Sequence, residues 1–157
     1  MAGPIAITAA REFDPQGEDK SENPDEVAFA YDKDPKTRWR TVQYLRNPKL
    51  GGIKRGVGLI FDLGSPQPVR EVALTLSGTG TNVELRVPAA DPAGTTTPPM
   101  AGDRDWRSVA KQSQAGGTAT LRAGEPVTTR YVLVYLTSLP KEGEGYRGGI
   151  VEAEVRS

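Results

Sequence analysis

The stretch Asp32-Lys33-Asp34-Pro35-Lys36-Thr37 puts two carboxylates two positions apart in a tight turn, with a hydroxyl three further on. Oxygens spaced this way can wrap a hard cation, and calcium takes about six to eight of them, partly from backbone carbonyls. An ion held there would be structural, because no substrate-handling group lies beside it. The turn is not an EF-hand. Counted from Asp32, the sixth position is Thr37 rather than glycine and the twelfth is Gln43 rather than glutamate. The same residues allow a metal-free turn in which Asp32 acts as cap and pairs with Lys36 or Arg38.

Further on, Trp39 and Tyr44 flank a short extended piece, and Arg46, Asn47 and Lys49 follow. A sugar needs an apolar face and a polar rim, which an aromatic ring and neighbouring donors supply. Tyr44, Arg46, Asn47 and Lys49 are therefore candidate ligand contacts. Tyr146-Arg147 lies in a glycine-rich run, and tyrosine with arginine is a frequent anchor pair at interfaces. The alternative is a hairpin with Tyr146 folded on the edge of the fold.

Other charged groups carry less. Gly51-Gly52-Ile53-Lys54-Arg55-Gly56 has the wrong spacing for a phosphate loop and precedes a strand rather than a helix. Lys54 and Arg55 read as solvated turn charges. The pairs Asp103/Asp105 and Glu142/Glu144 could in principle serve a glycosidase, but among lysines and arginines in loops they read as surface charge. The chain has no cysteine and no histidine. Thiolate nucleophiles, disulfides, Cys/His zinc sites and a Ser-His-Asp triad are excluded. Lysine plus arginine and aspartate plus glutamate are both 20, so the net charge is zero. That argues against a nucleic-acid partner and against a polybasic membrane surface. The expectation is a protein that is not an enzyme.

The elements that must position these groups are short strands. The 157 residues suit a single domain, and 18 glycines and 13 prolines punctuate them too often for long helices. Alternating or continuous apolar runs predict strands near 5–9, 39–44, 57–63, 69–76, 82–87, 106–111, 118–121, 130–136 and 150–155. Asn23 followed by Pro24 predicts one helical turn with Asn23 as its cap. Residues 88–105, poor in apolar groups, read as a long flexible loop. The pattern predicts an all-β antiparallel sandwich of jelly-roll type across 1–157. The opening Met1-Ala2-Gly3-Pro4 lacks the apolar region of a secretion signal, and the chain is expected to be a soluble domain of a longer protein.

Several segments together resemble a known family. They are Phe13-Asp14-Pro15 with Glu22-Asn23-Pro24-Asp25, then Thr37-Arg38-Trp39-Arg40-Thr41 with Tyr44, and Gly56-Val57-Gly58-Leu59 with Asp62-Leu63-Gly64. Arg130-Tyr131-Val132-Leu133-Val134-Tyr135-Leu136-Thr137-Ser138-Leu139-Pro140 and Tyr146-Arg147-Gly148-Gly149-Ile150-Val151-Glu152 complete the set. In order and spacing they resemble the C-terminal extracytoplasmic domain of actinobacterial MviN-like, lipid-II-flippase-related proteins. The resemblance implies a galactose-binding-like (discoidin, F5/8 type C-like) jelly roll at the outer face of a membrane, carried by a membrane-anchored parent that acts in peptidoglycan biosynthesis. It also implies that Trp39 plugs the end of the barrel. A calcium site would join Asp32, Asp34 and Thr37 to Glu152 on the last strand, with Asp32-Lys33 standing where the family usually has Asp-Gly. The expected function is recognition of a cell-wall saccharide or peptidoglycan precursor. The alternative is docking of an envelope protein partner with no carbohydrate ligand.

Overall fold

The computed structural model describes residues 3–15, 23–45, 47–50 and 55–157. Its strands are β1 (Pro4–Ile5), β2 (Ala9–Phe13), β3 (Trp39–Arg40), β4 (Val57–Leu76), β5 (Thr81–Pro88), β6 (Trp106–Ala115), β7 (Thr118–Ser138), β8 (Lys141–Glu142), β9 (Gly145–Tyr146) and β10 (Gly149–Arg156). All the pairings are antiparallel. The main order is β1-β10-β4-β7-β5-β6, with β2 also on β4 and β3 on β10; β8 and β9 form a separate hairpin.

Where the sequence pattern implies separate strands at 57–63 and 69–76, and at 118–121 and 130–136, the structure joins each pair into one long bent strand. The ladder runs from Val57↔Leu136 to Asp62↔Tyr131, breaks, and resumes at Gln67↔Thr129. Gly64, at φ 84°, makes the corner in β4 with Ser65 and Pro66. Gly124, Glu125 and Pro126 lie in a second interruption, between Val69↔Val127 and Glu71↔Arg122. Each set of turn residues is an insertion in one strand opposite a single residue of the other, so the ladder is interrupted at two separate places. The stretch read as one strand at 5–9 is split between β1, on β10, and β2, on β4.

Bending brings the two halves of β4 round one core. Val57, Leu59, Phe61 and Leu63 from the first half join Val72, Leu74 and Leu76 from the second. Val83, Leu85, Val132, Val134, Ile150 and Val155 complete it. The opposite face is covered too: Ile60, Tyr131, Leu133 and Tyr135 pack with Phe13, Trp106 and Met100. Phe13 meets Trp106 and Tyr135 edge-on, at 6.1 and 6.0 Å between ring centres. Burial on both faces is why 57–61 and 131–136 read as unbroken apolar runs instead of alternating. At Gly58 the neighbouring strand comes so close that a Cβ would lie 1.9 Å from the Val134 carbonyl oxygen.

Residues 88–105 form a loop, as expected, but strand side chains hold it down. Tyr131 donates from its hydroxyl to the Thr96 carbonyl at 2.8 Å, and Trp106 from its indole nitrogen to the Pro99 carbonyl at 3.0 Å. The charges near it also differ from the expectation. Asp103 is buried, and Arg55 holds its carboxylate from two nitrogens, each at 2.8 Å. The Tyr135 hydroxyl donates to the same carboxylate at 3.3 Å, and the Arg86 guanidinium lies 4.8 Å from the centre of the Tyr135 ring. Neither Asp103 nor Arg55 is a free surface charge: they pair because the loop folds over the outer apolar cluster and carries Asp103 inward.

The hydrogen bonds from Arg55 hold the Asp103 carboxyl below its ordinary value of 3.8, against the opposing effect of burial. Such a group stabilises the fold above its unfolded value, and that stability is lost as pH falls through the lower folded value. Asp103→Asn should therefore lower stability at pH 7 and flatten the loss of stability below about pH 4. Urea melts of both proteins at pH 7 and pH 3 check this; equal acid slopes would count against it.

Candidate functional site

One end of the sandwich gathers most of the groups singled out from sequence. It begins with the 3₁₀ helix Pro24–Ala30, which starts on proline with Asp25 and Glu26 in its first turn. Asn23 sits before it at φ 52° and makes no side-chain cap, in contrast to the expectation. Its amide instead donates to the Arg40 carbonyl at 2.7 Å, tying the helix to β3. The helix buries Ala30 in the core and packs Val27 against it, which leaves Phe29 turned outward and 38% exposed. Trp39 is fully buried and pairs with Ile150, so it plugs the sandwich.

Between these elements lies a cleft of about 340 Å³, lined by Glu26, Phe29, Lys36, Thr37, Arg38, Arg40, Ser77 and Glu142. Arg40 faces Glu26, its Nη2 3.7 Å from Oε2, while its backbone N–H donates to Oε1 at 3.3 Å. Arg38 donates to the Ser77 hydroxyl at 3.0 Å. The arrangement offers one apolar ring, a fork of cationic donors and few free acceptors, which suits a small polar ligand with an apolar face. A larger cleft of about 590 Å³ lies near the bend of β7, by Asp91, Arg107 and Glu125. It has no aromatic ring among its lining residues, so nothing there would stack on a sugar.

Tyr44 and Tyr146 do meet. Tyr44 donates from its backbone to the Tyr146 carbonyl at 2.8 Å and accepts in return at 2.7 Å. Tyr44 is 8% exposed, so its ring belongs to the core, and Tyr146 packs against that core half-buried. Arg147 donates from Nε to the Thr41 carbonyl at 2.8 Å. Asn47 accepts from the Lys49 backbone at 2.9 Å, and Lys49 is exposed. Arg46 lies outside the described residues. This group adjoins the cleft through Glu142, whose carbonyl accepts from Gln43 at 3.0 Å. Sequence reasoning missed Phe29, Glu26, Arg38, Arg40 and Ser77 as site residues. Only the helical-turn pattern after Pro24 hinted that one face of 27–30 would point outward.

The Asp32 turn forms one wall of the cleft. Asp32 accepts from the Asp34 backbone at 2.9 Å and from the Thr37 hydroxyl, and Asp34 accepts from the Lys36 backbone at 2.9 Å. The hydrogen bond from Thr37 is the main cause holding the Asp32 carboxyl below its ordinary value. Asp32 thus closes the turn through Thr37 and not through Lys36 or Arg38. Glu152 accepts from the Lys33 backbone at 2.8 Å, and burial, with Asp32 nearby, pushes its carboxyl up. So Asp32, Thr37 and Glu152 come together as oxygen donors of the kind calcium takes. They are few, however, and among the described residues no three acidic side chains converge to hold a metal ion.

The fold defines a class. It is a galactose-binding-like, discoidin-type antiparallel β-sandwich, and solved structures of that type match it nearly end to end. No protein-family model matches the chain. It is similar to chitosan-binding module 1 of a chitosanase/glucanase from Paenibacillus sp. IK-5, with 20% identity, 98% of each chain covered and a TM-score of 0.63. It is also similar to the family 32 carbohydrate-binding module of C. perfringens NanJ, solved with galactose, at 18% identity over 100% of both chains with a TM-score of 0.64. The corresponding module of AlyQ, in complex with 4,5-unsaturated mannuronic acid, matches at 16% identity over 98% of this chain and 97% of that one, with a TM-score of 0.63.

Lys33 holds φ 62°, a left-handed conformation in which a side chain is strained and glycine is not. Lys33→Gly should raise stability by roughly 0.5–1 kcal/mol, the strain relieved less the entropy glycine loses. Denaturant titration measures it; a fall in stability would mean that the Lys33 side chain contributes more than its backbone costs.

Proposed function

We propose that this protein is a non-catalytic module that binds a saccharide in the cleft beside Phe29. The observation that carries the reading is the exposed Phe29 ring flanked by Arg38 and Arg40 at the loop end of a fold shared with carbohydrate-binding modules. An apolar ring stacks on the face of a pyranose while guanidinium donors take its oxygens. Tyr146, Arg147, Asn47 and Lys49, with Tyr44 behind them and Arg46 beside them in sequence, form the flank of the same site. The chain's lack of histidine and cysteine removes imidazole and thiolate chemistry, in line with binding and not catalysis.

The resemblance to MviN-like proteins supports a finer proposal. The saccharide is a cell-wall glycan or a lipid-linked peptidoglycan precursor, and the module works at the extracytoplasmic face of the membrane on an anchored parent. A second reading, docking of an envelope protein, is favoured by the exposed apolar side chains of Leu45, 67% exposed, and Val42, 38% exposed. These readings separate in an NMR titration with muropeptides and a lipid-II headgroup analogue. Saturable shifts around Phe29 and Arg38 are expected, and Phe29→Ala should weaken binding by about tenfold or more, or 1.4 kcal/mol, without lowering Tm. A flat titration combined with capture of an envelope protein that Leu45→Ser abolishes would replace the first reading with the second.

Calcium belongs to the proposal as a structural ion at the turn of Asp32, Asp34 and Thr37, with Glu152. A cation there would offset the repulsion between Asp32 and Glu152. Extracellular modules bind calcium with Kd of about 0.1–1 mM. At 10 mM, calcium should therefore raise Tm by about 3–11 °C over the EDTA-treated protein. An unchanged Tm would leave the turn closed by its own hydrogen bonds alone.

A further inference from the structure

We infer that the cleft beside Phe29 selects a saccharide that carries a carboxylate. The inference rests on the reading of that cleft as a sugar site and names the chemistry of its ligand. Lys36, Arg38 and Arg40 bring three cations to the lining, against Glu26 and Glu142. Arg40 and Glu26 already face each other, Nη2 to Oε2 at 3.7 Å, and Glu26 Oε1 is occupied by the Arg40 backbone N–H at 3.3 Å. Arg38 is held at 3.0 Å by the Ser77 hydroxyl, which orients the guanidinium without neutralising it. Among the described residues, neither Lys36 nor Arg38 has a carboxylate within ion-pairing distance. Glu142 is the other lining acid.

The cleft thus carries three cationic donors against two carboxylates, of which Glu142 is the one left unpaired among the described residues. A neutral sugar presents hydroxyls that donate as well as accept, and here few protein oxygens are left to receive them. A carboxylate only accepts. Arg38 commits Nη1 to Ser77 and keeps Nη2 and Nε, the edge that meets a carboxylate in a two-pronged bond. Lys36 is fixed nearby because its backbone N–H caps Asp34 at 2.9 Å in the turn that forms the cleft wall. Phe29 stacks on the ring, and Arg38 with Lys36 reads the acid. A uronic acid and the lactyl group of a muramic acid both present such a carboxylate on a pyranose.

The test is calorimetry or NMR titration of the full chain with two matched pairs: digalacturonate against galactobiose, and N-acetylmuramic acid against N-acetylglucosamine. In at least one pair the acid should bind about tenfold or more tightly than its neutral partner at low salt. The gap should narrow as salt rises, because it is Coulombic. Arg38→Gln should erase the gap while weak neutral binding persists, and Phe29→Ala should weaken both members. Lys36→Gln, at an exposed position, should narrow the gap and serves if Arg38→Gln fails to fold. The pair that shows the gap identifies the source of the carboxylate. Equal affinity within both pairs would overturn the inference and leave saccharide binding standing. No binding in any arm would overturn both.

Discussion

β4 and β7 lie side by side along most of their length, in a ladder interrupted once by an insertion in each strand, and the main sheet is built on it. β2 joins β4 on the first half and β10 joins it on the second, while β5 extends the sheet from β7. An antiparallel pair that resumes its hydrogen bonds after each interruption lets one ladder wall two sides of a core. The contact is close enough to demand Gly58, whose missing side chain lets the Val134 carbonyl approach. Substitution there would force apart the two strands to which β2, β5 and β10 are paired.

Wrapping the ladder leaves an outer face that is itself apolar, and the long loop answers that exposure. Trp106 and Phe13 roof Ile60, Leu133 and Tyr135. The loop then carries Asp103 into a place where its charge needs a partner, and Arg55 supplies one from a segment far away in sequence. A buried carboxylate left alone would be costly, so the pair pins two loops against the sheet while satisfying the charge. Glu71 repeats the pattern between Arg122 and Arg156, at 3.2 and 3.0 Å.

At the loop end, the groups that stabilise the fold also shape the cleft proposed as the binding site. Trp39 anchors β3 to β10, and the neighbouring residues Arg38 and Arg40 are thereby held at the mouth of the cleft. The hydrogen bonds that close the Asp32 turn hold Lys36 and Thr37 in the cleft wall. A change at the turn, by cation or substitution, would consequently be felt in the cleft. A rigid support of this kind lowers the entropy that binding would otherwise cost.

Much of the fold was legible in the chain itself. Short apolar runs between glycines and prolines specify strands, and their number and spacing specify an antiparallel sandwich, because period and turn chemistry are local properties. The absence of histidine and cysteine likewise removes whole classes of chemistry without any coordinates. The motif and the resemblance grouped Asp32, Thr37 and Glu152 as ligands of an ion, but that Asp32 bonds to Thr37 instead of pairing with Lys36 or Arg38 emerged only from the structure. Tertiary structure alone decided that Tyr44 faces the core while Phe29 faces solvent, that Arg55 belongs to Asp103, and that Gly64 bends a strand instead of ending one. Those outcomes depend on which surfaces meet across long stretches of chain. A residue's type limits what it can do, but its neighbours in space decide whether its ring is buried or offered and whether its charge is spent or free.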